Sequence, residues 1–313
     1  MPLSRRATLA AGAAVVASTA KAQAAKITLG TATPGGGFPV YGAAFVAAIK
    51  AQDPALEIDA INTKGSTENV PRLEAGTLDI ALVQGEVVHE ALSGVGRPPA
   101  DLRILIAMYP TAGMFVVRAD SPYRRIADLK GKPIAWGAAG SGLVILGRYV
   151  MEGLGLDPAK DFQPIYLEKA GDGPAMVLDG RAAALWGGGA GWPGFMTMAR
   201  SPQGARFIAP EREEIERILA RHKFLKPIVQ PAGSFPGQDV AIASVGSWSF
   251  VLARPGLDEA LAYRLARALH AAETAPSAQL AETTAKNTLL ALPDPKRLHA
   301  GVARYYREAG LSR

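Results

Sequence analysis

Cysteine is absent from all 313 positions of the chain. That excludes disulfides, thiol nucleophiles and Cys-ligated zinc, and it leaves the redox compartment open. Histidine is sparse, with His89, His222, His270 and His299 as the whole set. None falls in an H-E-x-x-H motif, because Ser93 stands where the second histidine would follow His89. Each reads as a surface or core residue, and no metal site is expected. Past the amino terminus, no apolar run approaches the ~20 residues of a membrane span. The basic residues are scattered, apart from Arg124, Arg125, Lys130 and Lys132, so the dense stripe that nucleic acid requires is missing. Phosphate and dinucleotide fingerprints are missing too. A G-x-G-x-x-G run from Gly140 fails at Ile145, and no G-K-[ST] follows any glycine loop. Ser141 is no nucleophile elbow, since Ala139 and Leu143 replace the required glycines. Carboxylates are numerous, but no pair is confined to one place. The chain displays no catalytic apparatus and implies no cofactor.

Glycine is abundant, at 34 residues, and it is concentrated where short apolar runs end. Ile27 to Phe38 (ITLGTATPGGGF) breaks from a strand-like run into three glycines before a helical stretch. Asp59 to Asn69 (DAINTKGSTEN) repeats the arrangement, with Ser66 and Thr67 as N-cap candidates. Asp79 to Glu86 (DIALVQGE) does so a third time. Open α/β sheets bind ligands at such junctions, at the carboxyl ends of parallel strands. Free N–H groups and the helix dipole there favour an anion or a carbonyl oxygen. Three consecutive glycines, Gly35 to Gly37, exceed what a turn needs and suit close backbone approach to a ligand. Phe38 would then supply an apolar wall, with Tyr41 as a second wall or a core residue. Gly140-Ser141-Gly142 occupies the equivalent place in a second α/β unit, so Ser141 is expected to face Ser66 across a cleft. Trp186, Trp192 and Phe195 flank another glycine tract, Gly187 to Gly191, and Trp192 is a candidate cleft residue. Lys64, Arg72 and Arg148 are the cations nearest these loops in sequence.

The amino terminus carries its own signal. Ser4-Arg5-Arg6 precedes a weakly apolar stretch from Ala10 to Ala20 and then Ala22-Gln23-Ala24. A charged n-region, a short h-region and an A-x-A site read as an export signal over residues 1–24. The paired arginines resemble a twin-arginine signal. Cleavage would take Arg5, Arg6 and Lys21 off a formal charge of +6, and the product is expected in the periplasm.

Hydrophobic residues at 49% and charged residues at 20% indicate a globular chain with enough core for two domains. Strand-like and helix-like segments alternate as in doubly wound sheets. Leu102–Met108 and Met114–Arg118 read as separate strands, as do Val240–Ala243 and Ser247–Leu252. Leu257–Ala272, Ser277–Thr284 and Pro295–Ala309 read as helices. The expected fold is α/β and two-lobed, each lobe a mixed, mostly parallel sheet flanked by helices, the lobes joined by two crossovers. Lobe 1 spans 25–113 plus 245–313, lobe 2 spans 114–244, and the hinges lie near Pro110–Met114 and Gln238–Trp248.

These blocks, in this order, resemble the TAXI-type solute receptors of tripartite ATP-independent periplasmic (TRAP) transporters. The resemblance runs through GTATPGGGF, the G-S-x-x-N of Gly65 to Asn69, AGTLDIALVQ, DLKGK and the G-S-G loop. It continues through PAGSFPGQ (Pro231 to Gln238) and LHAGVARYYREAGL (Leu298 to Leu311). It implies a type II-like periplasmic binding protein fold, a monomer, that closes on a small organic ligand and delivers it to permease subunits. The residues it implies for the site are Gly36, Gly37, Phe38, Ser66, Asn69, Gln84, Gly140 and Ser141; with Gly142 and Trp192 they form the candidate set. Gly37 and Leu143 stand where the family often has threonine, and Glu86 where it has aspartate. The lost hydroxyls argue against an amino acid and for a carboxylate with an aromatic or less polar body. A binding protein of an ATP-driven importer or of a sensor is the alternative, with an enzyme on the same scaffold behind it.

Overall fold

The computed structural model describes residues 25–312, and the export signal expected at 1–24 lies outside them. The first sheet begins with β1 (Ala25–Gly30), β2 (Leu56–Ile61) and β3 (Ile80–Val83), linked by α1 (Gly37–Gln52) and α2 (Ser66–Glu74). β1 pairs in parallel with both β2 and β3. β3 is four consecutive buried apolar residues, as expected of a parallel strand covered on both faces. α3 (Gly85–Ser93) follows it and leads to β4 (Arg103–Arg118).

β4 is a single strand of 16 residues, where the sequence suggested two strands broken near Pro110. Its first part pairs antiparallel with β10 (Ile242–Ala253), from Arg103 to Ala112. From Gly113 onward it pairs with strands of a second sheet. That sheet contains β5 (Pro133–Ala138), β6 (Gln163–Leu167), β7 (Ala184–Gly188) and β8 (Ala205–Ile208). β9 (Lys226–Gln230) pairs with β10 alone. β10 is also continuous, replacing the two strands expected at 240–252. The strand order is β2-β1-β3-β10-β4-β7-β5-β6, with β8 and β9 attached to β4 and β10. β4 therefore belongs to both sheets, with β10 beside it along its first part, and the fold is a two-lobed α/β protein.

Helices cover both faces of each sheet. In the first lobe, α1, α8 (Glu259–Ala272), α9 (Ala285–Ala291) and α10 (Ala300–Glu308) pack on one face, through Phe45, Ile49, Leu265 and Tyr306. α2 and α3 cover the other, through Val70, Leu73 and Val88. In the second lobe, α4 (Gly142–Gly153) and α7 (Arg212–Arg221) bury Leu146, Val150 and Ile218 against Phe115, Trp136 and Trp186. α5 (Gly173–Leu178) and α6 (Pro193–Arg200) cover its other face. The segment expected as a helix over Ser277–Thr284 is one 3-10 turn, Ala278–Leu280, and the α-helix starts only at Ala285. Thr284 caps that helix by accepting from Asn287 N at 3.0 Å. Among the described residues, no helix is long and apolar enough to cross a membrane.

Candidate functional site

Five helices begin at one gap between the lobes. Their N-cap residues are Gly36 for α1, Gly65 for α2, Gln84 for α3, Ser141 for α4 and Trp192 for α6. All five line the same cavity, of about 40 Å³. Only α4 is capped by a side chain, the Ser141 hydroxyl accepting from Leu143 N at 3.2 Å. The other four first turns have no side-chain cap; α2 and α3 carry Glu68 and Glu86 there, while α1 and α6 carry no acidic residue to answer their dipoles.

The lobes touch on two sides of this cavity. Thr67 donates both its backbone N–H and its hydroxyl to the Gly140 carbonyl, at 3.2 and 3.0 Å. Near the α1 loop, Ala170 N donates to the Thr33 hydroxyl at 3.2 Å and Gly171 N to the Pro34 carbonyl at 3.3 Å. Glycine makes this approach feasible. A β-carbon on Gly142 would lie 2.4 Å from Gln84 Cβ, and one on Gly35 2.4 Å from Gly171 Cα.

Eight of the ten candidate residues line the cavity: Gly36, Gly37, Phe38, Ser66, Gln84, Ser141, Gly142 and Trp192. Asn69 lies beneath it, wholly buried. Its Nδ2 donates to the carbonyls of Thr31 and Leu82, both at 2.8 Å, tying the loop to the sheet. Gly140 forms the contact with Thr67 rather than the cavity wall. Ser66 is not a cap, contrary to expectation: Gly65 occupies that position. The Ser66 hydroxyl instead accepts from Gln84 N at 3.0 Å, which joins the second and third loops. Gln84 Nε2 is buried and has no protein partner among the described residues.

Tyr109 and Thr111 also line the cavity, and sequence reasoning missed both. They lie on β4 where it passes between the lobes, and the break placed near Pro110 hid them. Their signal was the pair of hydroxyls interrupting an apolar strand. Burial pushes the Tyr109 hydroxyl well above its ordinary range, so it is a neutral donor. No carboxylate, ammonium, guanidinium or imidazole lines the cavity. Lys64 is exposed, Arg72 pairs with Glu68, and Arg148 pairs with Glu90 and Glu152. Trp186 is a core residue of the second lobe, its Nε1 donating to Leu143 O at 2.8 Å. Behind Gln84, Glu86 is fully buried. Its Oε1 accepts from the Ser247 hydroxyl of β10 at 2.7 Å, while Oε2 has no partner among the described residues. No metal-holding group of His, Asp or Glu exists among the described residues.

Comparison with known proteins places this geometry in context. Residues 29–310 match the sequence model of the NMT1-like family. A solved structure described as a periplasmic transporter aligns with a TM-score of 0.52 at 15% identity, covering 91% of this chain and 92% of that one. A protein from Bordetella bronchiseptica RB50 aligns with a TM-score of 0.52 at 16% identity, covering 90% and 81%. The alkanesulfonate-binding protein SsuA from Xanthomonas axonopodis pv. citri, bound to MOPS, gives 0.49 at 19% identity, covering 92% and 85%. At these identities the likeness is one of fold.

Proposed function

The chain belongs to the NMT1-like family, and from that premise we propose that it is an exported solute receptor. It captures a small organic monoanion, a carboxylate, between its lobes. It then delivers that ligand to a TRAP-type membrane permease, as the resemblance to TAXI receptors implies. It works in the periplasm as a monomer and is not an enzyme. Lobe 1 is 25–113 plus 245–313 and lobe 2 is 114–244, hinged where β4 leaves one sheet for the other beside β10.

One observation carries this reading: five helix N-caps converge on a cavity that no charged side chain lines. An anion placed there meets backbone N–H groups and helix dipoles, which offset the loss of its hydration. Gln84 Nε2, the Ser66 hydroxyl and the Tyr109 hydroxyl add donors to its lining. Phe38, Leu143 and Trp192 supply the apolar walls. A zwitterion is disfavoured because its ammonium would find no carboxylate. The lining likewise offers no nucleophile with a base beside it, which supports binding over catalysis.

A thermal-shift screen of organic acids, amino acids and sugars tests the reading. A micromolar ligand at millimolar concentration adds about 4 kcal/mol of stability. Stabilisation by sugars or amines, and by no organic acid, overturns it. Uptake of the identified acid that requires ATP hydrolysis rather than an ion gradient overturns the permease assignment.

A further inference from the structure

The inner cavity is tight. Its 40 Å³ of water-accessible space has room for a carboxylate head. A second cavity, of about 260 Å³, begins on the other side of a wall that both cavities share. The shared wall is Gly37, Tyr109, Gly188 and Trp192. At Gly37 the wall is closed, and even one added carbon would press on its neighbours. A β-carbon there would lie 3.2 Å from Trp192 Cδ1 and 3.4 Å from the Tyr109 hydroxyl. Trp192 follows a loop in which Gly189 and Gly191 both hold left-handed backbone, with φ of 95° and 65°. The wall thus has one fixed side and one side that a glycine loop carries.

Beyond it, the outer cavity is bounded by Val40 and Tyr41 of α1, by Pro193, and by Gln279 and Glu282 at its rim. Val40, Gln279 and Glu282 are exposed, so this chamber ends in water. We propose that the ligand site is two chambers in series, and that the solute is a linear or arylalkyl monocarboxylate. Its head occupies the inner cavity, and its apolar body displaces Trp192, which the glycine loop carries, and crosses the neck at Gly37 to lie along Val40 and Tyr41. The proposal rests on the carboxylate reading above and adds the length and polarity of the body. A second carboxylate at the far end would meet Glu282, so the matching dicarboxylates bind more weakly.

Titration calorimetry with acetate, butyrate, hexanoate and octanoate tests it. Once the chain passes the neck, each added methylene leaves water, and affinity rises roughly three- to fourfold per methylene. Gly37→Val fills the neck and abolishes that rise. Val40→Glu, at a position 42% exposed, places a charge beside the body and flattens the rise without touching the inner cavity. Octanoate should also bind more tightly than octanedioate. If acetate and butyrate bind but octanoate gains nothing, the outer chamber is overturned and the carboxylate reading stands. The same holds if both variants keep the wild-type rise. If no member of the series binds, both fall together.

Discussion

Gly65 and Gly140 meet across the cleft so closely that a β-carbon on Gly65 would lie 2.7 Å from the Gly140 carbonyl oxygen. The reverse substitution is equally tight, a β-carbon on Gly140 falling 2.6 Å from the Lys64 carbonyl oxygen. Gly65 also holds a φ of 119°, but Gly140 does not share that backbone restriction. Gly140→Ala therefore tests the contact rather than the turn. The lobes must part to admit the methyl group, at a cost of about 1–3 kcal/mol to the closed state. Small-angle scattering should show a larger radius of gyration for Gly140→Ala, with thermal stability of the separate lobes little changed. An unchanged scattering profile would show that the loops absorb the methyl group without opening.

Glu86 gives a pH dependence of definite sign. Burial pushes its carboxyl up to about 7 from an ordinary 4.5, against the Ser247 hydrogen bond that works in the other direction. The nearest like charge is Glu90 on the same helix, which pairs with Arg148 and Tyr149 of α4. A folded-state value above the unfolded one means that the folded protein keeps its proton longer. Its contribution to stability is full below pH 4.5 and is lost as pH rises through 7. The loss is about 3 kcal/mol, from 2.5 units at 1.36 kcal/mol each. Glu86→Gln should remove this fall, so the difference between variant and wild-type denaturation curves grows from pH 4.5 to 7 and then levels. A difference that stays flat would mean that the carboxyl titrates normally.

Asn69 should behave as a structural residue. Asn69→Ala removes the Nδ2 donor from the buried Leu82 carbonyl and leaves the Thr31 carbonyl with the Thr63 hydroxyl alone, at a cost of about 1–3 kcal/mol in denaturant unfolding. A loss below 0.5 kcal/mol would contradict that role.

Ser66→Ala should act on both stability and binding. It strands the Gln84 N–H and removes a hydroxyl from the cavity, so acetate affinity should fall by about 1–3 kcal/mol. Ser141→Ala removes the α4 cap, worth about 1 kcal/mol of stability. Calorimetry with unchanged acetate affinity for both variants would remove these serines from the site.

On the flank of the cleft, Glu90 of α3 accepts from the Tyr149 hydroxyl at 2.9 Å and pairs with Arg148. These groups are partly exposed, so Glu90→Gln should cost only about 1 kcal/mol or less. The effect belongs to closure, and amide exchange in α3 and α4 should quicken without a drop in global stability. Equal exchange in both proteins would show that the pair does not hold the lobes.

The site was legible in the sequence wherever it is made of backbone. Runs such as Gly35–Gly37 and Gly140–Gly142 have few other uses, so the loops declared themselves. Side chains from strands did not. Tyr109 and Thr111 lie in a 16-residue strand whose apolar pattern is interrupted where it leaves one sheet for another. A rule that reads strands as short buried runs breaks it there. β9 went unseen for a related reason: it pairs only with β10 and lies mostly exposed, so it lacks the alternation that burial imposes. α7 was overlooked although Ile215, Ile218 and Leu219 recur there at helical spacing among charged residues. Ser66 was misread as a cap because its hydroxyl partner, Gln84 N, lies 18 residues away. Local spacing cannot report a bond of that span.

β4 runs unbroken from one sheet into the other, and β10 stays paired with it up to Ala112, the residue before that crossing. No slack linker intervenes, and a hydrogen-bonded ribbon resists stretching and sliding far more than it resists twist. Opening is therefore a torsion of two strands about a single axis.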